Sequence, residues 1–272
     1  MNHASRLVIG TTPCPNDSYL LGAVAGGDVA LDGIDIVLEL ADIETLNEEV
    51  LAGRADVAKI SCALYHEVAG DYVLLDTGAA LAHGYGPVVL AREPLDGLAL
   101  ARARVVAPGR HTTGALLFRL WARSWRELSW LPYDRIIDAL RTGRCDVGVC
   151  IHESRFTYGE AGLHCLVDLG EWWQTQHDLP VPLGCYVMHR RLHARHGAAV
   201  EDLMRRSLAK ATRGDPAIAR YVRTHAQELD DEVTRRHIAL YVNRYTYSLG
   251  NRGRAAIAAL AGRDAGHGMV VA

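Results

Sequence analysis

One stretch of this chain is written twice. Leu51-Ala52-Gly53-Arg54-Ala55-Asp56-Val57-Ala58 and Arg141-Thr142-Gly143-Arg144-Cys145-Asp146-Val147-Gly148 share one outline at an offset of 90 residues. Each reads as the end of a helix, a glycine stop, an Arg-x-Asp-Val passage and the start of a buried strand. Glycine closes a helix because it tolerates the left-handed backbone that other residues resist. A strand that follows at once fits an α/β arrangement. Two such units predict two similar lobes. The residues just past each strand, Ser61 and His152, then face the cleft between them, because ligands in open α/β sheets bind outside the carboxyl ends of the strands.

The rest of the pattern agrees. Apolar periodicity predicts strands over 6–10, 34–40, 56–60, 105–107, 128–131 and 145–151. Helices alternate with them. One is capped by Asp17 or Ser18 and runs to about Ala25, one follows Asp42 and stops at Gly53, and Ser61 is placed to cap another. Further helices are expected over 115–124 and 133–142. From Ala199 onward the chain reads as successive helices over 199–211, 216–226, 231–241 and 251–261, with Pro216 at a first helical position. The expected division is a discontinuous first lobe, residues 1–90 and 187–272, around a second lobe of residues 91–186, with crossings near Arg92 and Tyr186.

Composition narrows the function classes. Of the 272 residues, 49% are apolar and 22% charged, which excludes a disordered tail. The formal charge of −3 gives no basic field for nucleic acid. No apolar run approaches the roughly 18 residues of a membrane helix, and no basic segment with an apolar stretch precedes the first strand. The six cysteines include no C-x-x-C pair and several lie in apolar runs, so they read as reduced thiols of a cytoplasmic protein.

Several residues have the chemistry for a site. His152 ends a buried strand and titrates near neutrality, which suits proton transfer; a core histidine bonded to a carbonyl is the other reading. Glu153 is expected to be solvated. Thr112 and Thr113, at a strand-to-helix turn, offer backbone N–H groups and hydroxyls to an anion, or cap the helix and nothing more. The stiff turn Thr12-Pro13-Cys14-Pro15-Asn16-Asp17 holds polar groups at the cleft, with Cys14 expected to pack. Lys59, one of two lysines, stands beside Ile60 and Ser61. His83-Gly84-Tyr85-Gly86-Pro87 reads as a hinge. Trp172 and Trp173 lie in a presumed loop, where they meet a ligand or cover a core. His189, His193 and His196 fall on one helical face without a carboxylate, and no metal is expected there. Nucleotide loops and standard hydrolase motifs do not occur.

Five of these motifs taken in order resemble the 1,4-dihydroxy-6-naphthoate synthase family of menaquinone biosynthesis. They are Thr12-Pro13-Cys14-Pro15-Asn16-Asp17, Gly84-Tyr85-Gly86-Pro87, Pro108-Gly109 with Thr112-Thr113, Ile151-His152-Glu153-Ser154-Arg155-Phe156-Thr157-Tyr158, and Val167-Asp168-Leu169-Gly170-Glu171-Trp172-Trp173. The resemblance implies the two-lobed type II periplasmic-binding-protein fold. It also implies a lyase that converts cyclic dehypoxanthinylfutalosine to 1,4-dihydroxy-6-naphthoate and dihydroxyacetone without a cofactor. His152 would be the base, with substrate contacts at Lys59, Ile60, Ser61, Thr112 and Thr113; Asn16 and Asp17, in the stiff turn at the cleft, are expected to bind substrate as well. Small-molecule substrate, no nucleic acid and no membrane insertion are the expected partners. A solute-binding protein for a small anion, a chorismate dehydratase of the same pathway and a sensor lobe are the alternatives. The last has no DNA-binding segment to serve, and the dehydratase lacks the Pro-Cys-Pro-Asn-Asp and His-Glu-Ser-Arg-Phe motifs.

Overall fold

The computed structural model describes residues 5–151, 154–226 and 230–261. Two sheets organise them. The first has the order β2-β1-β3-β11-β4, with β5 also on β11. Its strands are β1 (Ser5–Thr11), β2 (Ile34–Leu40), β3 (Val57–Ser61), β4 (Tyr72–Leu74), β5 (Ala80–Ala82) and β11 (Val181–His189). The second has the order β10-β6-β9-β7-β8, from β6 (Val88–Ala91), β7 (Arg104–Ala107), β8 (Glu127–Trp130), β9 (Val147–Cys150) and β10 (His164–Asp168).

The sequence echo becomes a structural one. In each sheet three strands run parallel, β2-β1-β3 and β8-β7-β9. An antiparallel strand then joins each trio, β11 beside β3 and β6 beside β9. Both antiparallel strands reach their sheet by crossing from the other lobe. The sheet pairings therefore move both expected crossings earlier: Val88–Ala91 pairs in the second sheet, and Val181–His189 pairs in the first. Apolar content alone does not say which sheet takes a buried strand; the pairing partners do.

Gly53 and Gly143 end their helices, α2 (Ile43–Leu51) and the helix Tyr133–Arg141, at φ +70° and +71°. The aspartates that follow do the same work. Asp56 accepts from the Val8 N–H at 3.3 Å, and Asp146 from the Arg104 N–H at 2.9 Å. Each ties the start of one parallel strand to its neighbour. The Arg104 side chain adds two bonds to Asp146 and holds its carboxyl down to about 2. A depressed carboxyl stabilises the fold above its unfolded pKa near 3.8 and loses that contribution as pH falls toward 2. With the side chain 32% exposed, screening reduces the contribution to about 1 kcal/mol. Asp146→Asn should therefore lower the urea midpoint at pH 7, with the gap to wild type closing between pH 4 and pH 2.

Helix starts differ in detail from the expectation. The first helix, α1 (Pro15–Ala25), begins at Pro15 with Cys14 before it, so Asp17 lies inside its first turn rather than capping it. Proline suits that first position because its missing N–H needs no acceptor. Ser61 precedes a short 3-10 turn without capping it. Thr112 caps α3 (Thr113–Trp121), its hydroxyl accepting from Ala115 N–H at 3.2 Å. Trp172 and Trp173 lie on a helix, α4 (Leu169–His177), not in a loop. Of the C-terminal helices, Asp231–Tyr241 (here α5) falls as predicted, whereas the long helix Arg190–Thr212 begins nine residues before 199.

One apolar cluster runs beneath the cleft and draws on both sheets, with Ile60, Leu81 and Cys185 from one and Val89, Val105 and Val149 from the other. Trp173 is fully buried in it and donates its indole N–H to the Pro180 carbonyl at 3.2 Å. The two crossings touch at Gly86 and Gly170. A β-carbon on Gly170 would stand 2.1 Å from the Tyr85 carbonyl carbon, and one on Gly86 would stand 2.5 Å from the Gly170 nitrogen. Only glycine lets the two backbones pass.

Candidate active site

The sheets meet across a cleft of about 680 Å³, counting the solvent at its mouth. Its first wall is the turn after β1 and the start of α1. Asp17 is the hub there. Thr12 Oγ1 donates to Asp17 Oδ2 at 2.6 Å, Asn16 Nδ2 to Oδ1 at 2.9 Å, and Lys59 Nζ to Oδ1 at 2.7 Å. The Lys59 and Asp17 side chains are each 4% exposed. The ammonium also donates to the Gly78 carbonyl at 3.0 Å and lies 4.8 Å from the Tyr186 ring centre. Gly184, on β11, leaves room for it; a β-carbon there would approach Lys59 Cε to 2.8 Å. Burial pushes the Tyr186 phenol well up, so it stays neutral and shares a 2.6 Å bond with Thr11.

Asn16 is held from its other side by His237, on α5. Because the Asn16 amide nitrogen faces the Asp17 carboxylate, its oxygen faces His237, and His237 Nε2 donates at 2.9 Å. Tyr241, one turn along, packs against the imidazole at 4.8 Å between ring centres and also lines the cleft.

A second group spans the mouth. Ser61 ends β3. Its N–H donates to Asn47 Oδ1 at 2.9 Å, and its hydroxyl accepts from Asn47 Nδ2 at 3.2 Å. Asn47 Nδ2 also donates to Glu44 Oε2 at 3.1 Å. Glu44 reaches across to the other lobe, where His111 Nδ1 and the His111 N–H meet Oε1 at 2.8 and 3.1 Å. Gly109 lies so close that a β-carbon there would sit 2.6 Å from the Glu44 carboxylate.

The opposite wall is the start of α3. Here the structure revises which atoms are on offer. Thr112 Oγ1 donates to the Gly109 carbonyl at 2.9 Å, and Thr113 Oγ1 donates to the Leu183 carbonyl at 2.9 Å. Each hydroxyl also accepts a backbone N–H, from Ala115 and Ala63 respectively. Both hydroxyl protons are therefore committed within the protein. Among the described residues the N–H groups of Thr113 and Gly114 have no acceptor, and both residues line the cleft. They, with the helix dipole, are what this wall presents to an anion.

The cleft thus brings together Asn16, Asp17, Lys59, Ser61, Thr112 and Thr113. Ile60 contributes no side chain, being fully buried in the shared core. His152 and Glu153 lie outside the described residues; β9 ends at Cys150, and Ile151 lines the cleft. Cys14 lines the cleft as a buried thiol. Beside the site, burial and the neighbouring Cys185 push the Cys62 thiol well up, which makes it a poor nucleophile. Trp172 and Trp173 are not among the cleft residues. His83 bonds Tyr245, and burial lowers its pKa. Among the described residues no three His, Cys, Asp or Glu side chains are grouped to hold a metal.

Three separated motifs converge beside the cleft on Arg155. Its guanidinium donates to the Gly86 carbonyl at 2.8 Å and to Asp168 Oδ2 at 2.9 Å, and lies 5.3 Å from the Tyr85 ring centre. Asp168 in turn caps α4 through the Gly170 N–H at 2.8 Å. Arg155 therefore braces the point where the chain crosses between lobes.

Glu44, Asn47, His237 and Tyr241 escaped sequence reasoning. For all but Glu44 a signal was present. Asn47 interrupts the apolar stripe of α2 between Leu46 and Val50, and Thr234, His237 and Tyr241 are all buried at helical spacing on α5. A polar residue on a buried helical face needs a partner.

Known proteins place this geometry in context. Residues 7–265 match the model of a family described as menaquinone biosynthesis. The 1,4-dihydroxy-6-naphthoate synthase of Thermus thermophilus is 41% identical over 93% of this chain and 92% of its own length. That of Streptomyces coelicolor is 42% identical over 99% and 96%. A crystal structure of a protein from Archaeoglobus fulgidus superposes with a TM-score of 0.88 at 35% identity, covering 95% of this chain and 96% of that one. The alkanesulfonate-binding protein of Xanthomonas axonopodis pv. citri, at 14% identity and a TM-score of 0.65, covers 86% of this chain and 83% of its own and shares the fold.

Proposed function

The chain belongs to the menaquinone-biosynthesis family, and from that membership we infer that it carries out the reaction of the 1,4-dihydroxy-6-naphthoate synthases. It is then a carbon–carbon lyase acting on cyclic dehypoxanthinylfutalosine, with dihydroxyacetone as the second product. The observation that carries this reading is the near-full-length identity of 41–42% to two such synthases. The solute-binding neighbour shares the fold at 14% identity and carries no argument about chemistry.

In the mechanism we favour, the substrate lies between the lobes, with an acid group or polyol oxygen on the Thr113 and Gly114 N–H groups. Ser61 bonds a second oxygen from the facing lobe. Lys59 and Asp17 stay paired and set the field of the first wall; their geometry is that of a fixed ion pair. His152, next to the cleft residue Ile151, takes the proton of a substrate hydroxyl. That oxygen becomes a carbonyl as the neighbouring C–C bond breaks in retro-aldol fashion. The electron pair passes into the ring system, and aromatisation of the naphthoate drives the step. The protein supplies the base, the orientation and the exclusion of water. A cytoplasmic setting goes with this reading, because the relatives are biosynthetic enzymes and none of the six cysteines is in a disulfide.

The test is incubation of the purified protein with cyclic dehypoxanthinylfutalosine and no added cofactor, read by mass spectrometry. Dihydroxynaphthoate and dihydroxyacetone should appear in equal amounts. Binding without product would replace the reading with that of a solute-binding protein.

A further inference from the structure

The orientation of the Asn47 carboxamide is fixed by its neighbours. The Ser61 N–H can only donate, so the Asn47 atom it meets at 2.9 Å is the oxygen. The nitrogen therefore faces Ser61 Oγ at 3.2 Å and Glu44 Oε2 at 3.1 Å, both of them acceptors. Asn47 is fully buried, so no water competes for this arrangement. The consequence falls on Ser61. Its hydroxyl oxygen is used as an acceptor, and among the described residues no other group takes its proton. Ser61 lines the cleft, so the free O–H points its donor at whatever the cleft holds.

We propose that Asn47 is a positioning residue for the reaction: it makes Ser61 a dedicated hydrogen-bond donor to an acceptor oxygen of the substrate, and Glu44 ties that setting to the second lobe through His111. Glu44 is the link because its Oε2 accepts from the Asn47 amide while Oε1 meets His111 Nδ1, with the His111 N–H shared between the two oxygens at 3.1 and 3.3 Å. Approach of the lobes and orientation of Ser61 are then parts of one network. A substrate oxygen opposite Ser61 is a carboxylate, carbonyl or ether, which needs a donor. The inference rests on the lyase reading above.

Asn47→Asp tests the polarity. Aspartate keeps the size and still accepts from the Ser61 N–H, but its second oxygen now attracts the Ser61 O–H proton away from the cleft and faces Glu44 Oε2 without a proton to share, so the same substitution in the Glu44→Gln background separates the two effects. The readout is a double-mutant cycle in kcat/KM on cyclic dehypoxanthinylfutalosine with wild type, Ser61→Ala, Asn47→Asp and the double variant. Ser61→Ala and Asn47→Asp should each lose about 10- to 100-fold, the range for a hydrogen bond to a charged or polar acceptor. The double variant should be no worse than Ser61→Ala within about threefold. Because Asn47 is buried, Glu44→Gln at the cleft's edge is run through the same cycle. It should lose about 3- to 10-fold when Ser61 is present and nothing further when Ser61 is alanine. Losses that multiply in both cycles overturn the inference and leave the lyase intact. A wild type without turnover overturns the lyase reading and the inference with it.

Discussion

Replacing His152 with alanine is expected to lower kcat by about 10²- to 10⁴-fold, the usual worth of a positioned general base. Binding should survive, because the anion-facing N–H groups of α3 and the Ser61 hydroxyl lie on other elements. A second signature accompanies the loss. In the wild type, activity should fall on the acid side as the imidazole takes up a proton, and that limb of the pH–rate profile should vanish with the side chain. The measurement is single-turnover kinetics from pH 5 to pH 9, with circular dichroism to establish folding. Near-normal turnover by a folded His152→Ala protein would move the base elsewhere, with His237 the next imidazole at the cleft.

The largest stability effect should come from Asp17→Ala. The substitution removes the acceptor shared by Thr12, Asn16 and Lys59, and leaves the ammonium inside the protein with the Gly78 carbonyl and the Tyr186 ring. Breaking one partner of a buried ion pair costs about 3–5 kcal/mol. For a chain of this size each kcal/mol moves Tm by about 2–4 °C, so a drop of roughly 10 °C is expected by calorimetry. The paired change Asp17→Leu with Lys59→Met should recover much of that loss, because the cost lies in the unpaired charge and not in the missing bond. A loss under about 1 kcal/mol for Asp17→Ala would mean that water reaches Lys59 and that the pair is not sealed as its 4% exposure indicates.

The fold was legible because its grammar is local. Gly53 and Gly143 mark helix ends that need positive φ, Asp42 caps its helix with its own side chain, and Asp231–Tyr241 carries its limits in plain view. The lobe boundaries were not legible, because β6 and β11 are short apolar runs whose sheet is chosen by a partner far along the chain. The site divides the same way. Residues next to strand ends, such as Lys59 and Ser61, could be placed from the pattern. The use of their atoms could not. Thr112 and Thr113 look like two hydroxyl donors until the carbonyls of Gly109 and Leu183 are seen to take both protons. Asn47 stands on the apolar stripe of its helix, but which way its amide points is fixed only by the N–H of Ser61, fourteen positions away. Such roles depend on contacts between elements, which spacing does not encode.

The late arrival of β11 has a consequence for synthesis. β4 and β5 pair with β11 and with no other described strand, and β11 lies between them and β3. The second lobe is contiguous and its strands are complete once Asp168 has been made. The first lobe, though begun earlier, waits for Val181–His189. At about 5–20 residues per second, the interval between the end of β5 and the end of β11 is roughly 5–20 s. During that time an apolar segment with open strand edges is exposed on the growing chain. The lobe whose translation starts first is therefore the one whose sheet is completed last, and until then Tyr72–Leu74 and Ala80–Ala82 lack the strand they pair with.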